Sequence, residues 1–160
     1  MSEPVKITRS LEGAHALVGF LNRVDSDFSP PLSMRVNLSN YVDKLLENAE
    51  VFGIYNSLSR LVGAFAVYAN DHENHAAYVS FIATDPLVRG MGLGRKLMMC
   101  MVTHCRDLNM KSLKLEVSRA NQVAIELYRK VGFQECSDQM CDARANALSM
   151  ILLLNKVPQS

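Results

Sequence analysis

Charge of one sign, long apolar runs and clustered cysteines are all scarce in this chain, and each scarcity removes a class of function. Seventeen Lys and Arg face 16 Asp and Glu, for a formal net charge of +1. Nucleic acids and anionic membranes select a marked basic excess, so neither is expected as a partner. No apolar run approaches the roughly 20 residues that cross a bilayer, and the longest near the end, Met150-Ile-Leu-Leu-Leu154, is strand-sized. Met1-Ser-Glu-Pro does not read as a signal peptide, so a cytoplasmic location is the expectation. The cysteines at 100, 105, 136 and 141 lack the short spacings and partner ligands of zinc sites. Cys100 and His104 share a helical spacing, but they lie in a run of Met, Leu and Val where small core residues are the better account. No metal is expected, and the thiols are expected to be reduced.

A length of 160 residues suits a single domain spanning residues 1–160. A chain of that size buries roughly 68–70% of its unfolded surface without disulfide or metal support. Residues 5–9 read as a first strand and 11–24 as a helix, with Leu11, His15, Val18 and Leu21, plus Leu17 and Phe20, at helical spacing. Asp25-Ser-Asp-Phe-Ser-Pro-Pro breaks that pattern and opens an irregular piece over residues 25–37. A second helix is expected over 39–49, with Tyr41, Val42, Leu45 and Leu46 on one face and Ser39 or Asn37 as its cap. Strand-like runs at 51–55 and 61–68 flank Asn56-Ser-Leu-Ser-Arg60, a hairpin signal.

Further on come a strand over 76–84, a helix over 92–109, a strand over 112–118 and a helix over 120–131 that Gly132 ends. Leu93, Leu97, Met98, Met101, Val102, Cys105 and Leu108 form the core stripe of the long helix. Runs at 133–136 and 147–154 close the sheet. Hairpins followed by alternating strands and helices imply an α/β (α+β) protein with a mixed sheet flanked by helices.

The most informative stretch is Ile82-Ala-Thr-Asp-Pro-Leu-Val-Arg-Gly-Met-Gly-Leu-Gly-Arg-Lys96. A strand stops at Asp85-Pro86, and Arg89, Gly90, Gly92 and Gly94 leave the backbone bare where the long helix begins. The first N–H groups of a helix lack partners and sit at the positive end of its dipole, which makes an anion site. A pyrophosphate is the expected ligand. No Walker string Gly-x-x-x-x-Gly-Lys-Ser/Thr occurs, and glycines at 90, 92 and 94 after about the fourth strand do not fit a dinucleotide fingerprint.

Arg89, Gly92 and Gly94 do satisfy Arg/Gln-x-x-Gly-x-Gly/Ala. Downstream, Asn121-Gln-Val-Ala124-Ile-Glu-Leu127-Tyr128-Arg-Lys-Val-Gly132-Phe133 matches Asn-x-x-Ala-x-x-Leu-Tyr…Gly-Phe. With these two motifs in this order, residues 76–133 resemble the GCN5-related N-acetyltransferases, the GNAT superfamily.

The resemblance implies a mixed, mostly antiparallel sheet of about seven strands flanked by about four helices, with the fourth and fifth strands splayed to admit coenzyme A. It implies direct transfer of acetyl from acetyl-coenzyme A to a primary amine. Arg89 and the amides of Gly90, Gly92, Gly94 and Arg95, with Met91 and Leu93 of the same turn, would hold the pyrophosphate. The main chain of Ile82, Ala83 and Thr84 would hold the pantetheine arm, one N–H there polarising the thioester carbonyl. Asn121 and Ala124 belong to the same cofactor set, although Asn121 also reads as a helix cap. Tyr128 is the family's general acid position, its phenol of pKa near 10 staying protonated beside a thiol near 8.5. The alternative for Tyr128 is a buried aromatic sharing a stripe with Ala124, Leu127 and Val131.

Alternation along residues 113–117 puts Glu116 on the face opposite Leu113, Leu115 and Val117, where it is either the base for the amine or a plain exposed charge. The string Leu115-Glu-Val…Asn121…Tyr128 is similar to that of enzymes acetylating ribosomal-protein N-termini. Asp85 is the weaker base candidate, since Asp-Pro commonly just ends a strand. The resemblance implies that acceptor choice falls to residues 25–37 and 137–146. Asp25, Asp27 and Phe28 would seat a cationic amine, or Arg35 an acidic or phosphate-bearing one. A small-molecule amine such as an amino sugar or amino acid derivative is expected, with a peptide N-terminus as the second reading and a non-catalytic coenzyme A-binding module as the third. Either a monomer or a homodimer fits.

Overall fold

A computed structural model describes residues 6–9, 13–28, 30–136 and 146–154. Val5, residues 11–12, most of the 137–146 segment and Cys141 therefore lie outside the described residues. The chain divides into two compact units, Met1–Val67 with Ser80–Leu97, and Tyr68–Val79 with Met98–Ser160. The strands join in the order β1-β2-β3-β4-β5-β7-β6, as a family-like seven-stranded mixed sheet.

The first unit contains β1 (Lys6–Arg9), α1 (Ala14–Val24), α2 (Leu38–Asn48), β2 (Glu50–Tyr55) and the first part of β3 (Leu61–Asp71). β1 and β3 both pair antiparallel with β2. Leu17, Phe20, Leu21 and Val24 are the buried face of α1, whereas His15 is exposed and Val18 half-buried. The helical spacing found in the sequence fits both faces, and only the apolar neighbours select one. Val42 and Leu45 are buried on α2, while Leu46 turns outward. Asn37 is the cap: its side chain accepts from the Asn40 N–H at 3.0 Å. The hairpin turn is fixed by Asn56, whose side-chain oxygen accepts from the amides of Leu58 (3.0 Å) and Arg60 (2.9 Å).

The second unit contains β5 (Ser112–Ser118), α4 (Gln122–Val131), β6 (Gln134–Glu135) and β7 (Ala147–Leu153). β7 pairs antiparallel with β5 along its whole length and with β6 at its other edge. The remaining elements, β3, β4 (Ala76–Thr84) and α3 (Leu93–Asp107), have residues in both units. The expected stripe of α3 is buried from Leu93 through Cys105, with Leu108 half-buried. β4 runs parallel to β5 over Ala76↔Ser112, Ala77↔Leu113 and Tyr78↔Lys114. The ladder stops there although β4 continues to Thr84 and β5 to Ser118, the parting expected of the fourth and fifth strands.

Gly132 ends α4 at φ 121°, and a Cβ there would lie 3.1 Å from Leu152 Cδ1. Both the backbone conformation and the contact reject a side chain. Gly132→Ala is expected to cost about 1–3 kcal/mol, read as a lower melting temperature. Of the cysteines, Cys100 and Cys105 are outside any disulfide, but Cys136 is disulfide-bonded, which corrects the expectation that every thiol is reduced.

Candidate functional site

The glycine-rich turn belongs to the first unit and is anchored from below by Asp85. That carboxylate is only 4% exposed. Its oxygens accept from the Leu87 N–H at 3.0 Å and from Arg23 Nε at 3.4 Å, with Arg60 Nη2 at 3.7 Å. Arg23 also donates to the Leu61 carbonyl at 2.7 Å, and the Asp85 N–H donates to the Val62 carbonyl at 2.8 Å. The end of β4 is thereby tied to β3. A buried carboxylate flanked by two guanidiniums holds a loop in place, which fits the strand-ending reading of Asp85 better than that of a base.

Gly90 and Gly92 lie at φ 84° and 77°, conformations that side chains rarely adopt, and a Cβ at either would meet nothing within 4 Å. Glycine is needed here for the backbone's shape, and the space above the turn is open. The α3 ladder begins with the Lys96 N–H on the Gly92 carbonyl at 3.2 Å. The amides before it have no intrahelical acceptor, as at any helix start. The first turn of α3 carries no acidic residue, while Arg89, Arg95 and Lys96 are all exposed. Bare amides, a positive dipole end and three cations suit a pyrophosphate.

Close packing continues beneath the turn, at a position the sequence reading passed over. A Cβ on Gly63 would lie 3.2 Å from Leu97 Cδ1, 3.6 Å from Thr84 Cγ2 and 3.7 Å from the Ala83 carbonyl. Ile82, Ala83 and Thr84 are themselves half-buried, and they lie past Tyr78, where the β5 ladder stops.

Arg89 does not point unpartnered into solvent. Its Nη2 donates to the Asp27 carboxylate and, at 3.3 Å, to the Thr84 carbonyl. Asp25 is tied differently, accepting from both the Ser33 N–H (2.8 Å) and the Ser33 hydroxyl (2.5 Å). Those bonds hold its carboxyl below the ordinary aspartate range. Phe28 is half-buried and its N–H donates to the Asp25 carbonyl at 3.2 Å. Arg35 is exposed after the Leu32–Met34 turn, its N–H bonded to the Leu32 carbonyl. On α2, the Tyr41 hydroxyl meets Ser80 Oγ of β4 at 2.5 Å, a tie not anticipated from sequence.

The second unit carries the other candidates. Glu116 is exposed on β5 between the buried Leu115 and Val117, in register with Ser149, as alternation requires. Among the described residues its carboxylate makes no hydrogen bond or ion pair. Asn121 caps α4, its side chain accepting from the Ala124 N–H at 3.2 Å. Tyr128 is 7% exposed and its ring meets Phe133 at 5.9 Å, tilted by 57°. Burial pushes its phenol from 10 up to about 12, so the hydroxyl is protonated at any working pH.

The raised value links stability to pH. In the unfolded chain the phenol ionises near 10 and in the native one near 12. Above pH 10 the unfolded state has shed a proton that the native state keeps, so stability falls as pH rises. The loss attributable to Tyr128 is about 2–3 kcal/mol between pH 10 and 12. In denaturant melts over that range wild type should therefore lose stability against Tyr128→Phe, so that the two separate in the variant's favour if it starts out equal or higher, and first converge if it starts out lower.

No three His, Cys, Asp or Glu side chains among the described residues come together as a metal-holding group. Residues 19–133 match the family model "Acetyltransferase (GNAT) family". The mycothiol acetyltransferase of Thermomonospora curvata is 32% identical over 74 residues, covering 46% of this chain and 24% of that protein. The spermine/spermidine N(1)-acetyltransferase of Bacillus subtilis is 31% identical over 75 residues, covering 46% and 49%. The matched stretch thus spans at most about half of these relatives. In three dimensions the ribosomal-protein-S18-alanine N-acetyltransferase of Escherichia coli superposes with a TM-score of 0.76 at 21% identity, covering 98% of each chain. The PaiA N-acetyltransferase of Thermoplasma acidophilum, solved with coenzyme A, superposes at 0.73 and 15% identity, covering 94% and 99%.

Proposed function

The chain belongs to the GNAT acetyltransferase family, and from that premise we propose that it transfers acetyl from acetyl-coenzyme A to a primary amine by direct attack. Both units are read as one domain over residues 1–160, acting in the cytoplasm; no helix among the described residues is long and apolar enough to cross a membrane. The observation that carries the reading is the glycine-rich turn, with Gly90 and Gly92 at positive φ beneath open space and no acidic residue in the first turn of α3.

Coenzyme A supplies the acetyl as a thioester, an activated acyl group with a sulfur leaving group. Arg89 and the amides of Gly90, Gly92, Gly94 and Arg95 bind the pyrophosphate, flanked by Met91 and Leu93. The main chain of Ile82, Ala83 and Thr84 holds the pantetheine arm, and an N–H there polarises the carbonyl that the amine attacks. Asn121 and Ala124, already joined at the α4 cap, line the same arm. Glu116, directly or through water, takes a proton from the amine. Tyr128 donates its O–H to the sulfur as the acyl–sulfur bond breaks. A phenol near 12 is a weak acid toward a thiol near 8.5, but apolar burial raises a thiol as well, as it does Cys100. The mismatch in a dry site is therefore smaller than the comparison of a buried phenol with a thiol in water implies.

The acceptor is read as a small-molecule amine, in keeping with the names of the bacterial relatives. A peptide N-terminus is the second reading, favoured by the exposed Glu116 carboxylate on β5. The test is a panel of polyamines, amino sugars, amino acids and N-terminal alanine peptides incubated with acetyl-coenzyme A and read by product mass. Mass avoids the thiol background that Cys100 would give. Acetylation of one class identifies the acceptor. Coenzyme A binding without any acetylated product would favour a non-catalytic binding module instead.

A further inference from the structure

Among the groups around the turn, the Arg89 contact is the one that the proposed reaction leaves unexplained. The guanidinium assigned to pyrophosphate is occupied by a carboxylate of the same chain, Asp27, 62 positions earlier. Resting on the coenzyme A reading above, the geometry points to Asp27 as an internal competitor for the pyrophosphate site, released to the acceptor side when the donor binds.

Three features support the exchange. Arg89 is held at the end of β4 by its second bond, to the Thr84 carbonyl, so its guanidinium stays at the turn whichever anion it faces. The Asp27 and Arg89 side chains are 37% and 48% exposed, and an ion pair in water is weak enough to be traded. A pyrophosphate offers several charged oxygens to the same fork, together with the helix amides, and so displaces a single carboxylate.

The loop's other carboxylate cannot play this part. Both oxygens of Asp25 are committed to Ser33, which ties Asp25–Asp27 to the Leu32–Met34 turn. Asp27 alone is exchangeable, and once freed it is an exposed carboxylate on the 25–37 segment, where the sequence leads one to expect the acceptor. A cationic amine is the complementary ligand. Donor binding would then raise affinity for a polycationic acceptor, and by linkage the acceptor would raise affinity for the donor by the same factor.

Calorimetric titration with coenzyme A separates this from the alternatives. Asp27→Asn should bind coenzyme A about two- to five-fold more tightly than wild type. In an Arg89→Gln background the same change should have no effect. Equal tightening in both backgrounds would mean a general loss of negative charge and would overturn the contact-specific account, as would no tightening in either. Spermidine should bind wild type more tightly with coenzyme A present than without it, and that difference should vanish in Asp27→Asn; a difference that persists would sink the acceptor half. If wild type takes up no coenzyme A at all, the donor reading itself fails, a result distinct from any of these.

Discussion

Replacing Tyr128 with phenylalanine should lower kcat by about 10²–10⁴ while leaving the fold and coenzyme A affinity in place. The two halves of this expectation have separate grounds. The rate loss follows from removing the one protonated donor assigned to the leaving sulfur. Preservation of the fold follows from burial: the ring is 7% exposed and keeps its contact with Phe133. Among the described residues the hydroxyl has no hydrogen-bond partner, so its removal leaves no orphaned group behind. A melting temperature at or above that of wild type is expected, together with a kcat lowered at every pH from 6 to 10, since a phenol near 12 contributes no ionisation there. Unchanged turnover in Tyr128→Phe would show that the sulfur leaves without it.

Asp85→Ala should strongly destabilise the first unit, costing about 2–4 kcal/mol. Removing one partner of a buried pair costs up to about 3–5 kcal/mol. Here the arginines are 33% and 48% exposed and can rehydrate, which lowers that figure. Loss of the bond to the Leu87 N–H adds about 1 kcal/mol, the usual scale of a lost cap. For a chain of this size the melting temperature should drop by roughly 5–15 °C. Asp85→Asn keeps an acceptor for Leu87 and should fall between. The same pair of variants decides the residue's role. A structural anchor predicts lower melting with weakened coenzyme A binding, because the turn loses its footing. A catalytic base predicts unaltered melting with turnover abolished in Asp85→Asn.

What the sequence made legible was local. The turn at 89–95, the caps at Asn37 and Asn121, the stop at Gly132 and the stripe of α3 all depend on residues within a few positions of one another. Each appears in the structure where its chemistry placed it. Glu116 was legible for the same reason, since alternation along β5 fixes its face without knowledge of any partner. The illegible features join residues far apart. Asp85 meets Arg23 and Asp27 meets Arg89 across 62 positions each, and no spacing rule connects them. Nothing in the run around Gly63 signals that Leu97 and Thr84 pack against it. The buried face of α1 was ambiguous because two overlapping sets of residues share helical spacing, and tertiary neighbours chose between them. The motif around Arg89 suggests an anion for its guanidinium, but no spacing rule points to the carboxylate of Asp27 that it holds in the structure.

Intact mass of the protein during a single turnover tests the central claim most directly. With enzyme in excess over acetyl-coenzyme A and an acceptor from the panel present, direct attack predicts acetyl passing to the acceptor nitrogen while the protein's mass stays constant throughout. An acetylated protein species that forms and decays at the rate of product formation would contradict direct transfer and make a side chain, with Cys100 the first to examine, the carrier of the acetyl group.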